Sequence, residues 1–75
     1  MDVRLLFGKN VRTLRKAAGY TQDEFADLAR IARSYMSGIE NGKRAPSIVV
    51  VDKIAKALSV PIPQLFQHPE QSVAE

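Results

Sequence analysis

Apolar residues at the start of the chain recur at the spacing of an α-helix. Four of them share one helical stripe, at positions i, i+4, i+7 and i+11: Phe7, Val11, Leu14 and Ala18. The neighbouring basic residues lie away from this stripe, and Gly19 then offers a residue that tolerates the positive φ at a helix end. The pattern predicts a first helix over about residues 3–18.

The second helix has a strong start signal. Thr21 stands three residues before Glu24, a capping box in which each side chain accepts a hydrogen bond from the other residue's backbone N–H. The inward-facing residues that follow are Phe25, Ala26, Leu28 and Ala29. We expect a short helix over about 21–28.

The apolar spacing is interrupted at residues 30–32 and resumes with Met36 and Ile39. The Asn41-Gly42 pair then forms a stop signal. These residues predict a third helix over about 32–40, joined to the second by a connection of about three residues.

Ser47, which follows Pro46, is the expected N-cap of a fourth helix over about 47–58. Its predicted apolar face consists of Ile48, Val51, Ile54, Ala55 and Leu58. The β-branched run at 48–51 would also suit a strand, but the helical spacing downstream favours a helix. After Pro61, three apolar residues predict a last short helix over about 62–66: Ile62, Leu65 and Phe66. The sequence therefore predicts an all-α, compact five-helix domain.

Length and composition bound this domain. The 75 residues suffice for one domain, which we place at 1–67, with a polar tail at 68–75. Residues 1–44 carry nine of the eleven basic side chains against five acidic ones, so positive charge is concentrated in the first three-fifths of the chain. Such an asymmetry is compatible with a polyanionic partner but is weak support by itself.

Several function classes find no support in the residues. There is no cysteine, no apolar run long enough to span a membrane and no secretion signal, so we expect a cytoplasmic protein. His68 stands alone, and the carboxylates Asp23, Glu24 and Asp27 are explained by helix capping and solvation. We expect no enzyme activity, no metal site and no cofactor.

Two short helices joined by a short turn describe a helix-turn-helix. The segments 21–26 (TQDEFA), 37–42 (SGIENG) and 43–47 (KRAPS) resemble the Cro/CI-type (xenobiotic-response-element) family, which includes phage repressors and restriction-modification controller proteins. The resemblance implies a lambda-repressor-like fold that binds double-stranded DNA sequence-specifically as a homodimeric transcriptional regulator of an inverted-repeat operator. It further implies a bacterial or phage-encoded, nucleoid-associated protein with a possible RNA polymerase contact.

The resemblance places the N-terminal part of the third helix in the major groove. The residues there are Arg33, Ser34 and Ser37, which we expect to read bases, Arg33 through two hydrogen bonds to guanine. Gly38 is expected to leave a gap in this reading surface or to let the backbone approach DNA closely.

The residues expected to contact the DNA backbone are Gln22, Tyr35, Asn41, Lys43 and Arg44. Two alternatives stay open: Tyr35 could instead serve packing, and the two basic residues could belong to a solvated loop. Arg30 lies in the turn, where glycine is common and φ is often positive, and it could also help to hold DNA.

Arg15 and Glu40 are predicted to form an ion pair between the first helix and the end of the third. The apolar C-terminal residues, Ile62, Leu65 and Phe66, are predicted to form the dimer interface. The same fold also serves antitoxins and other modules that mainly bind a protein partner, and this remains the alternative function.

Overall fold

The computed structural model describes residues 2–68 and contains four α-helices followed by a 3-10 helix. The elements are α1 (Val3–Ala17), α2 (Gln22–Ala29), α3 (Arg33–Glu40), α4 (Ile48–Leu58) and the 3-10 helix (Ile62–Phe66). Within this range there is no β-strand. The predicted tail is described only at His68, and its remaining positions, 69–75, lie outside the described residues.

Three helices begin at side-chain caps. The Thr21 hydroxyl accepts a hydrogen bond from the backbone N–H of Glu24 at 3.1 Å, and the Glu24 carboxylate accepts one from that of Thr21 at 2.8 Å, which confirms the capping box. Ser47 caps α4 by accepting from the backbone N–H of Val50, as predicted. Asp2 caps α1, and the hydrogen bond from the Arg4 side chain is the largest cause that lowers the pKa of its carboxyl group.

The prediction of a fifth α-helix was wrong, because residues 62–66 form a 3-10 helix. The segment has five residues, and one of them, Pro63, has no backbone N–H to donate. At its start, the N–H of Gln64 donates to the carbonyl oxygen of Pro61, three residues earlier. So short a segment with a proline closes the tighter 3-10 turn more readily than an α-helical one.

The core collects apolar side chains from all five elements. Its largest fully buried members are Val11, Phe25, Met36, Ile39, Ile54 and Leu65. Three residues predicted to lie on the apolar faces are exposed: Ala18, Leu28 at 49% and Ile48 at 85%. Leu28 lies at the edge of the buried stripe of α2, and Ile48 is the first residue of α4, ahead of the turn that reaches the core at Val51.

Helices α1 and α3 approach each other closely at Gly8. A methyl group on Gly8 would overlap the backbone carbonyl oxygen of Ile39 and lie 2.9 Å from that of Glu40. Only a residue without Cβ fits at this crossing. The contact sets the position of the C-terminal end of α3 relative to α1.

Candidate nucleic-acid interface

A buried ion pair holds the end of α3 against α1. The guanidinium of Arg15 donates to both carboxylate oxygens of Glu40, from Nε at 2.8 Å and from Nη2 at 3.0 Å. Its Nη1 donates to the backbone carbonyl of Tyr20 at 2.9 Å. The two side chains are only 8% and 2% exposed, and the pair is the one that the sequence predicted. This network joins α1, the α1–α2 connection and α3.

Gln22, the first residue of α2, belongs to the same network. Its Nε2 donates to Oε1 of Glu40 at 3.1 Å, and the side chain is partly buried. The sequence indicated a DNA backbone contact for Gln22 but not this bond across 18 positions. The N-terminal end of α2 is thereby fixed relative to α3.

Arg33, the first residue of α3, forms an ion pair that sequence analysis missed. Its Nη1 donates to Oδ2 of Asp23 at 2.8 Å, and the two side chains are 67% and 62% exposed. No local signal predicts this pair, because ten positions separate its members. Ion pairs this exposed contribute at most about 1 kcal/mol, so Arg33 can exchange Asp23 for another acceptor at low cost.

The polar residues predicted to read bases follow one edge of α3. Ser34 is exposed, Ser37 is partly buried, and the Nδ2 of Asn41 lies 3.5 Å from the Ser37 hydroxyl oxygen. Positions 33, 34, 37 and 41 are neighbours on a helix surface because residues three and four apart face the same side. The structure thus brings these side chains together on a continuous edge next to Gln22.

Arg44 folds back over α3. Its guanidinium carbon lies 5.4 Å from the centroid of the half-buried Tyr35 ring, within the range of a cation–π contact. The backbone N–H groups of Lys43 and Arg44 both donate to the carbonyl of Gly38, at 2.8 and 3.2 Å. The Lys43 side chain is exposed.

That Gly38 leaves a gap among the base-reading residues, or lets the backbone approach DNA closely, stays a prediction. A methyl group there would lie 2.5 Å from Cγ of Arg44, so the Arg44 side chain covers this position. Tyr35 also packs against the hydrophobic core, which supports its packing alternative.

The residues predicted for the dimer interface divide into two groups. Ile62 and Phe66 are 39% and 37% exposed, whereas Leu65 is fully buried in the core of the monomer. Leu65 therefore cannot face a partner subunit, and its prediction as an interface residue is corrected. The side-chain amide of Asn10 donates to the carbonyls of Leu65 and Gln67, both at 2.9 Å, and so fixes the 3-10 helix to α1.

The turn between α2 and α3 has the conformation that its position suggested. Arg30 adopts φ 60° and ψ 48°, in the left-handed region. Its backbone N–H donates to the carbonyl of Asp27 at 3.1 Å, and that of Ile31 donates to the carbonyl of Ala26 at 2.9 Å. These bonds close α2 and direct the chain into α3.

Two other features are absent from the described part of the chain, a metal-ligand cluster and a membrane-spanning helix. Across residues 2–68, no three histidine, cysteine or acidic side chains come together as metal ligands do. None of the helices in this range combines the length and apolar character required to cross a bilayer.

Comparison with known proteins agrees with the geometry. The chain is 37% identical over 71 residues to control protein C.MunI of Mycoplasma sp., a match that covers 93% of this chain and 96% of that protein. Control protein C.BamHI of Bacillus amyloliquefaciens is 40% identical over 60 residues, covering 79% of this chain and 74% of the relative.

Solved structures show the same arrangement. The restriction-modification controller protein C.AhdI of Aeromonas hydrophila superposes with a TM-score of 0.81 at 40% identity, covering 84% of this chain and 96% of that chain. SinR, the master regulator for biofilm formation, was solved in complex with DNA. It superposes with a TM-score of 0.78 at 34% identity, covering 81% of this chain and 98% of that chain.

The family model described as helix-turn-helix (HTH_3) matches residues 11–65, which include α2, the turn at Arg30 and α3. The matched part covers most of the chain, and its relatives include controller proteins and transcriptional regulators. The chain therefore belongs to the helix-turn-helix family of the XRE type.

Proposed function

We propose that the protein binds double-stranded DNA sequence-specifically as a homodimeric transcriptional regulator, with α3 in the major groove of an inverted-repeat operator. The observation that carries the proposal is the continuous polar edge of α3, from Arg33 to Asn41, beside the N-terminal end of α2. The likeness to SinR, whose structure was solved in complex with DNA, supports it.

Base reading is assigned to Arg33, Ser34 and Ser37. Arg33 projects from the first turn of α3 and is held by an exposed carboxylate that DNA can replace. A guanine offers the guanidinium two acceptors, O6 and N7, in place of the single Asp23 oxygen. The serine hydroxyls can donate or accept and so discriminate less.

Contacts to the DNA backbone are assigned to both flanks of this edge. On one side, the first backbone N–H groups of α2 and the Gln22 side chain, tethered to Glu40, can meet a phosphate. On the other side, Asn41, Lys43 and Arg44 follow α3 directly. The contact with Tyr35 orients the guanidinium of Arg44. Arg44 therefore loses less side-chain entropy when it binds a phosphate.

Selection of bound sites from random double-stranded DNA tests the proposal as a whole. We expect an enriched inverted repeat whose half-sites are about one helical turn apart. Enrichment of a single half-site would contradict the dimer, and the absence of any enriched sequence would contradict sequence-specific binding.

Replacement of Arg33 by alanine is expected to lower the affinity for the selected operator by about 1–3 kcal/mol and to relax the preference at one base pair. The loss arises because the bidentate contact to guanine disappears. Fluorescence anisotropy with the operator and with each single-base variant measures both effects. Unchanged discrimination would remove Arg33 from the reading residues.

Lys43→Ala is the matched control, since it removes an exposed positive charge outside α3. We expect it to weaken binding to all DNA sequences alike. The slope of the logarithm of the affinity against the logarithm of the salt concentration should become shallower by about one unit. A base-specific effect of Lys43→Ala would contradict the division between reading and backbone residues.

The interface of the homodimer is assigned to the surface around Ile62 and Phe66. Ile62→Asp should shift the protein towards monomer and weaken operator binding more than half-site binding, because a buried carboxylate disfavours association. Ile62 is the better test, since Phe66 also packs its ring 5.1 Å from that of Phe7 in the same chain. Sedimentation equilibrium measures the change. If Val49→Asp, at an exposed position on α4, dissociates the dimer and Ile62→Asp does not, the interface lies at the start of α4.

A further inference from the structure

A shallow open groove of about 360 Å³ lies between the C-terminal parts of α2 and α4. It is lined by Leu28, Ala29, Arg30, Lys53, Lys56 and Ala57. Residues 28–30 lie at least six positions beyond Gln22, about 9 Å along the axis of α2 at 1.5 Å per residue. The groove is therefore separate from the end of α2 that the proposed DNA interface uses.

The floor of the groove is apolar. Leu28 is 49% exposed although helical spacing assigns it to the inward face of α2. Ala29 is buried beside it, and Ala57 of α4 is partly buried. Small residues on both helices leave room for the side chains of a ligand, and Leu28 offers them an apolar contact.

The rim of the groove is positively charged. Within residues 2–68, neither Arg30 nor Lys53 has a carboxylate oxygen within 4.0 Å, whereas Lys56 lies 3.1 Å from Asp52 across an exposed helical pair.

We propose that this groove binds an acidic amphipathic segment of a partner protein. The carboxylates of the segment would pair with Arg30 and Lys53, and its apolar side chains would cover Leu28. Charge complementarity selects such a segment over a basic one. A DNA backbone would satisfy the cations but offers no apolar surface to Leu28, so the apolar floor favours protein.

The test is a selection of random twelve-residue peptides, displayed on phage, against the immobilised full chain. We expect the enriched peptides to combine Asp or Glu with Leu, Ile or Phe. Leu28→Asp and Lys53→Glu should each lower the affinity for synthetic copies of the enriched peptides by about tenfold. This is the order expected for the loss of one apolar or charged contact. Val3→Asp and Lys9→Glu, at exposed positions of α1, are the matched controls and should leave binding unchanged.

Peptides without acidic enrichment, or acidic peptides that bind both groove variants as well as the original chain, would overturn the proposal. DNA binding supplies the second readout. Lys53→Glu should leave the affinity for DNA and its salt slope unchanged, whether or not that DNA is bound specifically. A loss of about one unit of salt slope would assign the rim to phosphate contacts and overturn the assignment to a protein segment.

Discussion

Arg15→Ala is expected to lower the free energy of unfolding by on the order of 3–5 kcal/mol, the usual cost of removing one member of a buried ion pair. The Glu40 carboxylate, only 2% exposed, would lose both hydrogen bonds from the guanidinium and keep the one from Gln22. The carbonyl of Tyr20 would lose its bond from Arg15 as well. A domain of this size has a total stability of roughly 4–11 kcal/mol, so much of it would be lost.

Urea unfolding followed by far-UV circular dichroism measures this change. Arg4→Ala is the control, because Arg4 and its partner Asp2 have side chains that are 49% and 38% exposed, and we expect little change in the midpoint. Combining Arg15→Met with Glu40→Leu should restore part of the loss, since no charge is then left buried without its partner. If Arg15→Ala were as mild as Arg4→Ala, the pair would not be desolvated.

Gly8→Ala is expected to destabilise the protein by about 3 kcal/mol or more, at the upper end of overpacking costs. The added methyl group would overlap the Ile39 carbonyl oxygen, and the backbone of α3 cannot yield as a flexible side chain can. The sign of the change in stability distinguishes overpacking from an effect of helix propensity. Helix propensity alone would make alanine more stable than glycine by about 1 kcal/mol.

Gly38→Ala is the matched control for Gly8→Ala, because both glycines lie within helices. The nearest obstacle at Gly38 is Cγ of the Arg44 side chain, which can move away. We expect Gly38→Ala to leave the midpoint of urea unfolding close to its original value or to raise it slightly, because the gain in helix propensity offsets the displacement of the Arg44 side chain. A Gly8→Ala protein as stable as the unaltered chain would mean that α1 and α3 can separate at no cost.

The helices were predictable because their signals are local. A capping hydroxyl at Thr21 or Ser47 interacts with backbone N–H groups within three residues, so the sequence nearby is enough to place each start. The left-handed turn at Arg30 was also anticipated from its position. The ion pair of Arg15 with Glu40 was anticipated as well, although 25 positions separate its members and no local signal indicates it. The predicted helix boundaries accordingly differ from the observed ones by one residue at most.

The edges of the helical faces were less predictable. Periodicity placed Ala18, Leu28 and Ile48 wrongly on the apolar faces, since whether such a residue is covered depends on which neighbour packs beside it. In the short segment 62–66, spacing could not indicate which of the three apolar residues is the most buried. Tertiary packing buried Leu65 and left the other two partly exposed.

By itself, then, the sequence determined that the chain forms a helix-turn-helix and which polar side chains follow its third helix. Only the tertiary structure decided their partners: Arg33 with Asp23, Gln22 with Glu40, and Arg44 over Gly38 and Tyr35. The physical reason is the range of the interactions. Caps and periodicity act within about one helical turn, whereas each pair between helices depends on how closely and at what angle α1, α2 and α3 pack.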